Sequence, residues 1–171
     1  MRHSVPVSGS TDHMGARADE RTMLNGFLDW YRAVIEHKVE ELTLDDATRV
    51  MTPTGLSPLG VVAHLAAAEV GWFDETFAGQ PIDPTWDDHG SFKIGEQDSV
   101  ESVVGEYRDA CSRSREVVAA ASSLDDLGAR TDEVWGDVSL RWILVHMIEE
   151  TARHAGHLDI MREEIDGRVG D

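Results

Sequence analysis

His64, Glu150 and His154 are the residues of this chain whose types and spacing could do chemistry together. Glu150 and His154 stand four apart, and on a helix residues i and i+4 project side by side, so one helix can offer a carboxylate and an imidazole to the same point. A third donor has to come from elsewhere in the chain. His64, in GVVAHLAAAE, is the best placed, because Val61, Val62, Leu65 and Ala66 surround it as they would on a buried face. Two imidazoles and one carboxylate hold a divalent cation while leaving one or two positions for water or substrate, the arrangement of a catalytic rather than a structural zinc site. Zn2+ suits the set best, and Ni2+, Fe2+ or Mn2+ would also accept it.

The helix that carries two of these donors reads SLRWILVHMIEETARHAGHLDIMREEI. At about 100 degrees per residue, with His146 at zero, His157 falls near 20 degrees, Glu150 near 40, Ile143 and Met161 near 60, His154 near 80 and Met147 near 100. The polar cluster therefore overlaps the apolar stripe. An ionised carboxylate there is expensive unless it is paired or binds a metal. The plainer readings are that Glu150 and His154 form only a surface ion pair, and that His64 is a satisfied core or rim residue. The pattern is not HExxH, so spacing alone is weakly specific. His146 and His157 are candidates to orient a ligand or shuttle a proton rather than to bind metal themselves. Trp72, Trp86 and Trp135 could wall a pocket, the alternative being ordinary packing near helix ends. His37, His3, His13 and His89 are expected to be solvated or in tail and loop.

Four long segments show helical periodicity and none makes a good strand, so the fold class is all-α, a four-helix bundle. The first segment runs from about Asp19 to Glu41. The second opens at Ser57-Pro58, a capping serine and a proline at the first helical position, and reaches Phe77 before Gly79-Gln80-Pro81. The third starts near Asp98, where Asp98 and Glu101 have capping-box spacing, and runs to Ser122. The fourth begins at Ser139 and is closed by Gly167. An antiparallel bundle is the simplest arrangement. The long connection over 79–97 leaves a crossover arrangement open and could lid a site. Residues 1–18 read as a flexible tail, and 19–171 as one metal-binding domain.

Acidic residues number 33 against 15 basic ones, a formal charge of -18, which repels nucleic-acid phosphates and anionic lipid at long range. A small-molecule substrate is the expected partner, without nucleic acid or membrane. No run of apolar residues is long enough for a spanning helix, and the N-terminus lacks the apolar core of a secretory signal, which points to the cytoplasm. The single cysteine, Cys111, excludes an internal disulfide and a cysteine-rich zinc site, and its apolar neighbours mark it as a packed thiol.

Three stretches, ERTMLNGFLDWYRAVIEHKVEEL, SPLGVVAHLAAAEVGWF and WGDVSLRWILVHMIEETARHAGHLDIMREEIDG, resemble in that order the DinB/YfiT-like superfamily of putative metalloenzymes. The resemblance is strongest to the actinobacterial branch related to mycothiol-dependent maleylpyruvate isomerase and thiol S-transferases. It implies a four-helix bundle with one histidine from the second helix and two ligands four apart on the last, here His64, Glu150 and His154. Many relatives have histidine at the middle position, so Glu150 departs from the commonest pattern and matches the His-Glu-His set of the isomerase. The resemblance further implies a metal-dependent thiol S-transferase that conjugates mycothiol, or another low-molecular-weight thiol, to an electrophile, and a homodimer. An isomerase or hydrolase on the same site, and a non-catalytic metal- or ligand-binding stress protein, are the alternatives.

Overall fold

A computed structural model describes residues 17–81 and 92–169; most of the expected tail, and His3, His13, Trp86 and His89, lie outside the described residues. The elements are α1 (Glu20–Val39), α2 (Leu44–Thr48), α3 (Pro58–Glu69), a π-helical segment (Val70–Phe77) that continues α3, α4 (Val100–Ala120) and α5 (Leu140–Asp166). Among the described residues the fold is helical, as the sequence pattern implies, and no helix is long and apolar enough to cross a membrane.

Side-chain caps set the helix starts. Asp19, Ser57 and Ser139 accept from the backbone N–H groups of Thr22, Gly60 and Trp142, which satisfies donors that have no partner inside the helix. At α4 the capping pair is Ser99 with Ser102 rather than Asp98 with Glu101. The Asp98 carboxylate instead accepts from the Gly95 N–H at 2.7 Å, which closes the preceding turn. Gly167 ends α5 at φ 77°, a left-handed conformation that glycine adopts without steric cost.

Two apolar clusters fix how the helices run. One gathers Ile35 and Val39 from the end of α1, Leu59 to Ala66 from the start of α3, Val103 to Cys111 from the start of α4, and Ala155 to Met161 from the end of α5. The other gathers Leu28, Phe73, Val118 and Ile143 to Met147 from the opposite portions. Hence α1 and α5 run parallel, α3 and α4 run parallel, and the two pairs oppose each other. Ion pairs agree: Arg141 near the start of α5 meets Glu20 at the start of α1, and Lys38 at the end of α1 meets Asp159 at 2.6 Å. The bundle is therefore the crossover form rather than the simple up-and-down one. The end of the π-helical segment and the start of α4 accordingly lie at opposite ends of the bundle, a separation of roughly 30 Å for a 20-residue helix.

The π-helical turns follow from what surrounds them. The Ala78 N–H reaches back five residues to the Phe73 carbonyl, while the Thr76 and Phe77 carbonyls accept from Arg130 and Ala129 of the link between α4 and α5. Such wide turns persist where neighbours satisfy them. At their start lies the buried pair Arg32 and Glu69, 3% and 1% exposed, joined by Nε to Oε1 at 2.7 Å and Nη2 to Oε2 at 2.5 Å. The same guanidinium donates to Asp29 at 2.9 Å and lies over the Phe73 ring. Cys111 is buried nearby, and burial followed by the charge of Glu69 pushes its thiol up to about 12, so it is the packed thiol expected rather than a nucleophile.

Removing one member of the buried pair strands the other's charge. Glu69→Ala should lower stability in urea unfolding by about 3–5 kcal/mol, and the double change Arg32→Met with Glu69→Leu should recover most of it. A loss below about 1 kcal/mol in the single variant would show that water reaches the pair.

Candidate metal centre

His64 projects from α3 and Glu150 and His154 from α5, across the interface where these two antiparallel helices meet. Glu150 Oε1 lies 3.0 Å from His64 Nε2 and 3.1 Å from His154 Nε2. One ligand atom from each of the three residues lies within 4.8 Å of the others. The imidazole centroids are 4.9 Å apart at 57°, so the rings converge on the carboxylate without stacking on each other. The side chains are 16%, 13% and 6% exposed for His64, Glu150 and His154, so the cluster is largely but not wholly closed to solvent. The three residues so placed form a group that could hold a divalent metal ion: two neutral nitrogens and one anionic oxygen are the donor types such ions take, and only small displacements separate them from a shared centre.

The carboxylate is held as an anion. Hydrogen bonds from His154 and then His64 outweigh the cost of burial and keep the Glu150 carboxyl well below the usual carboxylate range. Its second oxygen, Oε2, pairs with Arg153 Nη1 at 3.0 Å. His157 Nδ1 lies 3.4 Å from His154 Nδ1, the two rings meeting edge to face. Burial, followed by the charge of His154, lowers the His157 pKa. His146, one turn before Glu150, stacks on Trp142 at 5.0 Å and meets Trp72 edge-on at 4.8 Å. Of the two histidines expected to assist the site, His157 thus stands against a donor of the triad and His146 stands in an aromatic cluster beside it. Trp72 and Trp135 belong to that same cluster.

Two contributors escape the sequence reading. Phe92 stacks on His64 at 4.4 Å and 24°, and is 5.8 Å from His154. Its backbone reaches α3 only because residue 60 is glycine: a Cβ there would stand 2.4 Å from the Phe92 carbonyl oxygen. Nothing in a loop of irregular pattern marks such a residue. Arg153 was more legible, since i, i+3 spacing from Glu150 brings opposite charges together on any helix.

A family model described as Mycothiol-S-transferase matches residues 23–167, a span that includes all three residues of the triad. No curated protein matches the chain significantly.

The Glu150 environment sets a pH dependence that is measured in the presence of a chelator. A carboxyl whose folded pKa is depressed stabilises the fold above its unfolded value, near 4.3, and loses that contribution as pH falls toward the folded value. The stability difference between the wild type and Glu150→Gln, from urea unfolding, should therefore be widest near neutrality and narrow as pH drops below about 4. A constant difference across that range would mean that the carboxyl titrates alike in the folded and unfolded states.

Proposed function

Since the chain belongs to the mycothiol S-transferase family, we propose that it joins the thiol sulfur of mycothiol to an electrophilic carbon, using a divalent metal, zinc by preference, held by His64, Glu150 and His154. The observation that carries the metal is the convergence of two imidazoles, one from each helix, on one carboxylate oxygen of Glu150. The bound metal would supply acidity, because coordination lowers a thiol's pKa and the thiolate is the nucleophile.

The protein's own groups then have defined tasks. For His154 to offer Nε2 as a donor atom, its proton must reside on Nδ1, from which it can be donated to Nδ1 of His157. Phe92 covers one face of His64 and holds that ring in plane while excluding water there. Arg153 engages the second oxygen of Glu150 and so orients the carboxylate with Oε1 toward both imidazoles. In the transfer, the S–H proton passes to solvent, a sulfur–carbon bond forms, and the bond from that carbon to the leaving group breaks, the group departing with the bonding pair.

Metal analysis of protein purified without a histidine tag should find about one divalent ion per chain, and Glu150→Ala should lower metal affinity by about tenfold or more, as loss of a ligand does. Mycothiol consumption with a generic alkylating electrophile should require that metal and return when zinc is restored after chelation. Unchanged metal stoichiometry in Glu150→Ala would remove that residue from the site. A metal-loaded protein that consumes no thiol, whichever electrophile is supplied, would sink the transferase reading.

A further inference from the structure

Beside the triad lies a run of aromatic rings that metal binding does not explain. Trp135 meets Trp142 at 5.6 Å, Trp142 stacks on His146 at 5.0 Å and 16°, and Trp72 closes on both Trp142, at 5.3 Å, and His146, at 4.8 Å. The series begins at an exposed turn bridged between Asp132 and Gly136 and ends one helical turn before Glu150. Trp72 and Trp142 are partly buried against the apolar cluster of Leu28, Phe73, Val118 and Ile143, which accounts for their inner edges. It does not account for Trp135, 60% exposed, or for its neighbour Val134, 79% exposed, at the tip of that turn. Isolated exposed apolar residues need no explanation, but an exposed indole continuous with three further rings that lead to a reactive centre does.

We propose that Trp72, Trp135, Trp142 and His146 form the acceptor subsite, and that it takes a flat, uncharged, electron-poor aromatic electrophile; this rests on the transferase reading above. The faces of indole rings carry negative charge density and stack best, in offset fashion, on rings depleted of electrons. The carboxylates of Glu150, Glu149 and Asp132 also act on His146, with Arg153 opposing them. An anionic electrophile is repelled there and a neutral one is not. Burial keeps His146 below the usual imidazole pKa, so near neutrality it presents an uncharged ring that extends the stacking surface. His146 stands one helical turn before Glu150, so a ring stacked at that end of the series would lie beside a thiol held at the triad.

1-Chloro-2,4-dinitrobenzene has the required chemistry: the thiol sulfur bonds to the ring carbon, the carbon–chlorine bond breaks, chloride leaves with the bonding pair and the thiol proton passes to solvent. Two measurements test the subsite on zinc-loaded, full-length protein. In calorimetric titration, 1,3-dinitrobenzene, which has no leaving group, should bind about five- to tenfold more weakly to Trp142→Leu and Trp135→Ala than to wild type. In turnover with mycothiol, the ratio of kcat/KM for 1-chloro-2,4-dinitrobenzene to that for iodoacetamide should fall by a similar factor. Trp135 is exposed, so its variant remains informative if Trp142→Leu does not fold. Undiminished dinitrobenzene binding in the variants, or equal losses with both electrophiles, overturns the subsite. A wild type that binds dinitrobenzene yet transfers thiol to neither electrophile refutes the transferase reading and leaves the aromatic subsite standing.

Discussion

Glu150 places a carboxylate at 13% side-chain exposure between two helices, where an unpaired anion would cost several kcal/mol. Its two oxygens are satisfied by three partners, His64 and His154 on one and Arg153 on the other. That satisfaction requires α3 and α5 to meet in one register, because sliding either helix by a turn would separate His64 from the carboxylate by about 5 Å. The interface is thus fixed by polar geometry as well as by packing. It is also where the three side chains gather, so the constraint that orders the helices is the one that assembles the triad.

The rest of the bundle supports this register. The apolar cluster at one end ties the end of α5 to the end of α1 and the starts of α3 and α4. The Arg162 guanidinium reinforces it by donating to the Lys38 carbonyl at 2.6 Å. At the other end, the buried Arg32 and Glu69 pair anchors α1 to the last residue of α3, where the helix widens into its π-helical turns. The segment so widened carries Trp72 to the side of α5 that bears Trp142 and His146. The triad and the aromatic cluster are therefore held on the same pair of elements, one by hydrogen bonds to a carboxylate and the other by ring contacts.

Much of this was legible in the residues. The overlap of Glu150 and His154 with the apolar stripe of α5 marked them as interior polar groups, and the apolar neighbours of His64 marked its face. The capping serines Ser57 and Ser139 placed two helix starts. Other features depend on contacts distant in sequence. The five-residue α2 is too short for periodicity to register. The π-helical turns depend on Ala129 and Arg130, more than fifty residues away, accepting their place against Phe77 and Thr76. The parallel pairing of α1 with α5 is decided by which apolar clusters close, and a single helix's stripe does not carry that information. Phe92 is the same kind of case: its role depends on a glycine in another helix letting its backbone approach.

The parallel pairing of α1 with α5 joins segments about as far apart in sequence as the bundle contains, Arg141 meeting Glu20 across 121 residues. During synthesis, Leu28, Ile35 and Val39 of α1 leave the ribosome long before the helix that will cover them. Sequence-distant pairing of this kind slows folding and leaves apolar surface open to wrong partners in the meantime. Because Glu150 and His154 arrive on that same late helix, the triad with His64 comes together only when α5 docks. Closing the bundle and gathering the three side chains are then a single event.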